Sequence, residues 1–327
     1  MRVRDRVVVV TGASSGIGRV TAEAFARKGC AVVLAARRAE ALQAAARDCE
    51  RRRGARALAV PTDVTDAGAV EDLARRAVER FGRIDVWVNA AAVTVFGSFE
   101  EVPLEDFRKV LDVNVMGYVH GARAALRVMR EQDHGTLVNV SSVVGVVSQP
   151  YSHAYGMSQH AVRALGAGLR QELALEGVKG VHVCTVLPAT IDTPFFEHAA
   201  NYTGRKAVAM PPVYSPERVA HAIVDLVRVP RREVVVGPTG RSMVLESRMA
   251  PGMTERMMAR QVDRTHLSRK EPAPATQGNL HVPTPGTGAA HGGWGGRRHT
   301  AVRRLGTAAA LAGAAAGARR LMRTPAP

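Results

Sequence analysis

Two hydrophobic rhythms alternate along the first 240 residues of the chain. Short unbroken apolar runs, such as Val7-Val8-Val9-Val10 and Ala31-Val32-Val33-Leu34, read as strands buried on both faces of a parallel sheet. Between them lie stretches with the three-to-four-residue apolar spacing of amphipathic helices. Strands are predicted over 6–11, 31–35, 55–60, 84–89, 135–141, 181–187 and 233–236. Helices are predicted over 16–28, 39–53, 67–81, 104–130, 154–175 and 216–229. This alternation predicts an α/β fold: a doubly wound parallel sheet of about seven strands, helices on both faces, and ligand at the carboxyl ends of the strands.

The first strand runs into Thr11-Gly12-Ala13-Ser14-Ser15-Gly16-Ile17-Gly18, and a helix follows at once. A glycine-rich turn between a buried strand and a helix lets backbone N–H groups approach a pyrophosphate, and the positive end of the helix dipole adds to the attraction. Gly12, Ser14, Ser15, Gly16, Ile17 and Gly18 are therefore candidate dinucleotide-binding residues.

The TGxxxGxG spacing resembles that of the short-chain dehydrogenase/reductase family, of the classical type with a C-terminal extension. The resemblance covers roughly residues 5–240 and extends to several separated motifs. Asn89-Ala90-Ala91-Ala92 stands where the family has NNAG, and Asn114 follows in Asp112-Val113-Asn114-Val115. Ser142 lies thirteen residues before Tyr155, the family interval, and Pro188-Ala189-Thr190-Ile191-Asp192-Thr193 resembles PGxxxT. The resemblance implies a Rossmann-type fold and an alcohol/carbonyl oxidoreductase. It implies cofactor contacts at Asp63, Val64, Asn89, Pro188 and Thr193, with Asp63 near the adenine. It also implies catalytic roles for Asn114, Ser142, Tyr155 and the residue four places after the tyrosine.

That last residue is Gln159, where the family has lysine. Tyr155 is the proton donor or acceptor that hydride chemistry requires. An unperturbed phenol titrates near ~10, too high for a base at neutral pH, and a neighbouring ammonium would lower it. Gln159 cannot be charged, although it can still hydrogen-bond a ribose hydroxyl. His160 faces elsewhere on the same helix, and Arg163 is one turn further on. The expected consequence is a slower enzyme or one working at higher pH, with a non-catalytic dinucleotide-binding protein as the alternative. Ser142 supplies a hydroxyl to hold the substrate oxygen, and in the family Asn114 holds a relay water.

Ala36 ends the second strand where NAD-preferring relatives carry an acid, and Arg37 and Arg38 follow. With no carboxylate to repel a 2′-phosphate and guanidinium groups to pair with it, NADP (NADPH) is the expected cofactor through Arg37, and NAD the less favoured one. After the sixth strand, where relatives carry a substrate lid, Phe195, Phe196, Met210 and Val213 suggest an apolar or bulky carbonyl or alcohol; they fit packing of the lid on the body equally well. Small residues on the 154–175 helix (Ala161, Ala164, Gly166, Ala167, Gly168) suit the close helix pairing of a homodimer or homotetramer.

Composition narrows the setting. The 327 residues are 46% hydrophobic but only 4% aromatic, so the core should be aliphatic. Cys30, Cys49 and Cys184 are scattered, odd in number and without metal-ligand spacing; they predict buried thiols, no metal and a cytoplasmic protein. No signal peptide is recognised before the first strand. The net charge is +16, and from Glu255 onward 12 Lys/Arg stand against 3 Asp/Glu, so over half of the excess sits in the last part of the chain.

Residues 242–260 keep helical spacing with a Met stripe (Met243, Met249, Met253, Met257, Met258) that reads as packing. Residues 271–298, rich in Pro, Gly, His and Thr, read as a flexible linker. An Ala-rich helix candidate over 300–323 is flanked by Arg303-Arg304 and Arg319-Arg320, which suits weak contact with an anionic membrane surface. Nucleic acid is not expected, because aromatics beyond Trp294 are missing. The expected organisation is a dinucleotide-binding and catalytic domain over 1–250, a helical region over 251–270, and a largely disordered basic tail over 271–327 that folding and cofactor binding do not need.

Overall fold

The computed structural model describes residues 3–285 and 288–295. Its centre is a sheet of seven parallel strands. In chain order the elements begin β1 (Val7–Thr11), α1 (Gly16–Ala26), β2 (Ala31–Ala36), α2 (Ala39–Glu50), β3 (Arg56–Pro61), α3 (Ala67–Phe81) and β4 (Val86–Asn89). They continue with β5 (Val95–Phe96), α4 (Leu104–Leu111), α5 (Gly117–Glu131), β6 (Gly135–Val140), α6 (His153–Leu175) and β7 (Val181–Pro188). Last come β8 (Ala200–Asn201), β9 (Arg205–Ala207), α7 (Pro216–Arg228), β10 (Glu233–Val236), α8 (Pro238–Met249), α9 (Pro251–Thr265) and β11 (Leu267–Pro272).

The sheet order β3-β2-β1-β4-β6-β7-β10 reverses between β1 and β4. That reversal is the switch point of a doubly wound sheet, where the connections diverge to opposite faces and leave a crevice. Every residue of β1, β2, β4 and β6 is buried; β1 and β2 are almost wholly apolar, and β6 also buries Thr136 and Asn139. One apolar cluster packs α1, α2 and α7 on one face of the sheet, and a second packs α3 and α5 on the other. At the amino ends of the strands Asp85 fastens the sheet. Burial alone would raise its pKa, but the Val7 amide at 2.9 Å, Arg6 at 2.6 Å and Arg83 together hold the carboxyl below its usual range.

The single helix expected over 104–130 is two helices joined by a π-helical turn at Asp112–Met116. Asn114 in that turn is fully buried, and its side chain bonds both backbone groups of Val93 at 2.9 Å, a tertiary demand that apolar periodicity does not reveal. The 242–260 segment is likewise two helices, broken before Pro251, which lacks the N–H needed to continue α8. Its Met stripe divides: Met258 is buried and Met243 packs beside it, whereas Met249, Met253 and Met257 are exposed.

The segment after Lys270 departs most from expectation. It does not stand clear of the body: Pro272 pairs with Arg205 in a β11–β9 ribbon, Thr276 exchanges backbone bonds with Asn201, and Leu280 is fully buried. Main-chain carbonyls and glycines, rather than apolar side chains, make most of its remaining contacts. Such docking leaves no hydrophobic pattern to read. The Arg303-Arg304 and Arg319-Arg320 flanks lie outside the described residues.

Gly121 in α5 tests how closely the helices sit on the sheet. A Cβ there would stand 2.2 Å from Asn89 Oδ1 and 2.8 Å from Trp87 Nε1, so Gly121→Ala is expected to lower stability by roughly 1–3 kcal/mol. Gly252→Ala in α9, with nothing within 4 Å of the added methyl, should leave the thermal midpoint unchanged or slightly raised.

Candidate active site

The carboxyl ends of the parallel strands open into a cavity of about 280 Å³. Its lining begins with the turn after β1. Gly12 (φ +67°) and Gly16 (φ +51°) both take a left-handed conformation that favours glycine. A Cβ on Gly12 would meet Ala90 O at 2.8 Å, and one on Gly18 would meet Gly12 O at 2.4 Å. The turn can therefore lie flat between β1, the loop after β4 and the start of α1 only with glycine at these places. Ser14, Ser15 and Ile17 line the cavity beside them.

Arg37 and Arg38, at the end of β2, and Asp63 and Val64, after β3, form one end of the cavity. Burial alone would raise the Asp63 carboxyl, but bonds from the Thr65 amide (2.9 Å) and hydroxyl (2.8 Å) outweigh it and hold the group below its usual range. Pro188 at the end of β7 and Thr193 beyond it line the opposite side. Asn89 is not on the wall. It is buried behind it, accepting from Trp87 Nε1 at 2.8 Å and donating to Asn139 Oδ1 at 3.0 Å, so it braces β4 against β6.

Ser142, just past β6, and Tyr155, in the first turn of α6, meet in the cavity. The Ser142 oxygen accepts from Val144 N at 3.2 Å, which fixes the side chain at the head of a short 3-10 turn on the same cavity wall as Tyr155. Tyr155 is half-buried on the cavity wall, and desolvation by the surrounding protein is the largest influence on its phenol. Burial pushes it up to about 12, against the lowering effect of Ser142. Among the described residues, the lysines and arginines that line the cavity are Arg37 and Arg38, both at its far end.

Gln159 is buried behind this pair. Its Nε2 donates weakly to Ser158 Oγ at 3.3 Å, and its Oε1 has no partner. Asn114 Nδ2 also donates to Ser158 Oγ (3.0 Å), so both ends of the Asn114 amide are committed to Val93 and Ser158. Arg163, one turn on, forms a two-pronged pair with Glu233 at 3.0 Å and donates to Gly145 O at 2.8 Å, so it does not replace the missing ammonium. His160 is exposed and bonds Gly156 O.

The sequence profile of the short chain dehydrogenase family matches residues 6–202, which span the glycine turn, Ser142, Tyr155 and Thr193. The chain belongs to the short chain dehydrogenase family. An uncharacterized oxidoreductase of Bacillus subtilis is 37% identical over 79% of this chain and 72% of its own length. One from Staphylococcus saprophyticus is 32% identical over 74% of this chain and 99% of its own. Among solved structures, a Burkholderia phymatum short chain dehydrogenase/reductase in complex with NAD is similar, with a TM-score of 0.70, 26% identity, and coverage of 78% of this chain and 97% of that one. An alcohol dehydrogenase from Thermococcus sibiricus, complexed with 5-hydroxy-NADP, has a TM-score of 0.61, 28% identity, and coverage of 71% and 96%.

In this short chain dehydrogenase several lining residues carried no motif. Phe195 lies against Tyr155 with ring centroids 5.4 Å apart, and Phe196 stacks edge-on with Phe195, His266 and Trp294. Phe195, Phe196 and Met210 thus line the cavity, whereas Val213 is buried in the body. His266, at the end of α9, is buried; desolvation lowers its pKa and favours the neutral ring, despite its bond to Val208 O. Only Trp294, a lone aromatic in a Pro/Gly-rich stretch, gave a sequence signal that the C-terminal segment reaches the site. Among the described residues no cluster of three His, Cys, Asp or Glu is arranged for a metal.

With its phenol raised to about 12, Tyr155 should remain protonated at pH 10, where an ordinary tyrosine is half ionised. The ultraviolet difference spectrum of wild type minus Tyr155→Phe should then show no tyrosinate band at pH 10. A full band would mean the phenol is less buried than its packing indicates.

Proposed function

We propose that this short chain dehydrogenase is an NADP(H)-dependent oxidoreductase interconverting an alcohol and a carbonyl, with Tyr155 as acid/base. The observation that carries the reading is the Ser142–Tyr155 pair in the same cavity as the glycine turn. The site suits a dinucleotide: backbone that only glycine permits lies at the strand–helix turn that a pyrophosphate would approach. Ala36, with no carboxylate, and Arg37 favour a 2′-phosphate. When bound, the dinucleotide supplies or takes up the hydride.

The chain's own residues then handle the proton. A raised phenol is protonated at neutral pH, so Tyr155 is ready to give its O–H proton to a carbonyl oxygen as negative charge grows there. Ser142 donates a hydrogen bond to the same oxygen. In the reverse direction Tyr155 must accept a proton as phenolate, a form whose fraction grows with pH up to the phenol's pKa. Oxidation therefore gains with rising pH, and reduction holds through the neutral range. Asn114, with its amide committed, acts by fixing the loop after β4 and Ser158. Phe195, Phe196 and Met210 favour a bulky apolar substrate.

Gln159 favours a second reading, a dinucleotide-binding protein without turnover. Fluorescence titration with NADPH and NADH followed by a carbonyl panel separates the two. The proposal expects tighter NADPH binding and turnover that Tyr155→Phe lowers by about 10² or more. Binding without turnover on any carbonyl would favour the second reading, and no dinucleotide binding would overturn both.

We also propose a cytoplasmic homo-oligomer, from the three unpaired buried cysteines and from the small residues Ala161, Ala164 and Gly168 on the outer side of α6. Light scattering should give two or four times the 34.9 kDa chain mass, and a monomer at micromolar concentration would overturn the assembly.

A further inference from the structure

The C-terminal segment crosses the opening of the cleft from end to end. At the Arg37 end, Arg37 Nη1 donates to Leu280 O (3.0 Å) and His281 O (3.3 Å), and its Nη2 donates to Asn279 O (2.6 Å). Arg38 Nη1 donates to Thr284 O at 3.2 Å. Over the glycine turn, Gly16 N donates to Ala289 O at 2.9 Å and Arg19 donates to Gly288 O at 2.8 Å. Beyond it, the amides of Gly292 (3.1 Å) and Trp294 (2.8 Å) donate to Asp192 Oδ1, and Trp294 Nε1 donates to Thr193 O at 3.1 Å.

The segment is held on both lips. His281 Nε2 pairs with the buried Asp106 at 2.7 Å, His291 with Glu217 at 3.1 Å, and Leu280 is sunk in the second apolar cluster. Its close approaches need glycine. A Cβ on Gly278 (φ +53°) would stand 2.3 Å from His198 O, and one on Gly288 (φ +73°) 2.1 Å from Ser14 O. Asn279, Pro283 and Thr284 form part of the cavity wall, so the segment roofs the cleft and leaves the Tyr155 end open beneath it.

We infer that residues 279–285 and 288–294 form an intramolecular strap that competes with a dinucleotide for Arg37 and the glycine turn. The inference rests on the dinucleotide reading above. Three main-chain carbonyls take three of the five N–H groups of Arg37, which are the donors a 2′-phosphate would use. The strap therefore disfavours NADPH more than NADH, and cofactor entry requires the strap to lift. The observed affinity is the intrinsic affinity reduced to the fraction of molecules with the strap lifted.

The test uses the full chain with Gly278→Ala, just before the strap, and Gly288→Ala, over the glycine turn, each of which drives a methyl into backbone. NADPH and NADH are titrated by nicotinamide fluorescence, alongside thermal unfolding. The expected result is NADPH binding tighter by about fivefold or more in each folded variant, with a smaller gain for NADH in Gly278→Ala. If either glycine variant fails to fold, Trp294→Ala, which removes the Thr193 bond and the Phe196 contact without adding strain, is judged on the same NADPH criterion. Unchanged or weaker NADPH binding in the folded variants would overturn the strap while leaving the dinucleotide reading intact. Failure of wild type and variants alike to bind either dinucleotide would overturn that reading, and the strap with it.

Discussion

The site depends on backbone meeting backbone at the turn after β1. Gly12 lies against Ala90 and Ala91, Gly18 against Gly12 O, and Gly288 of the C-terminal segment against Ser14 O. Each approach is closer than any Cβ permits. Three parts of the chain far apart in sequence therefore share one small patch of exposed main chain. The patch is also where the first N–H groups of α1 lie outside the helical ladder, and there Gly16 N donates to Ala289 O of the C-terminal segment. The same close approach of main chain thus allows a segment of the protein's own chain to settle on the turn.

The Ser142–Tyr155 end of the cavity is built on a different principle. Ser142 and Tyr155 are held by two short elements, the 3-10 turn after β6 and the first turn of α6, and Gly145 lets them pack, since a Cβ there would lie 2.7 Å from Gln159 O. Ser158, Asn114 and Gln159 form a neutral hydrogen-bonded layer beneath. In that layer a lysine would have placed a charge close to the phenol. Its replacement leaves burial to set the phenol's pKa almost alone, and burial favours the neutral form. Under the proposed function, the pair would act as an acid/base with its bias towards the acid.

Most of the sheet was legible because its strands are buried on both faces and carry apolar runs that no exposed segment would tolerate. The strand ends, and with them Gly12, Asp63, Ser142 and Pro188, followed from the alternation and from motif spacing. Three features departed from the periodic pattern, for separable reasons. The π-turn at Asp112–Met116 is imposed by the tertiary bonds of Asn114. The break between α8 and α9 rests on Pro251 inside an otherwise helical pattern. The docked C-terminal segment uses main-chain carbonyls and glycines, so its composition is that of a linker even though its contacts are those of a wall. Asn89 illustrates the limit of carrying a motif residue over: its position matches the family, and its side chain serves as a brace between strands.

The central claim is that Tyr155 moves the proton without help from a neighbouring ammonium. The most direct measurement is the pH dependence of alcohol oxidation by wild type and by Gln159→Lys, on the same substrate and with saturating cofactor. The account predicts a wild-type rate that climbs from pH 7 to pH 10 without a plateau. In the variant, the restored charge should lower the phenol's pKa by about 2 units or more, so that its rate levels off by pH 10. Superimposable profiles, or a wild-type plateau near neutral pH, would contradict the account and assign the proton to another group.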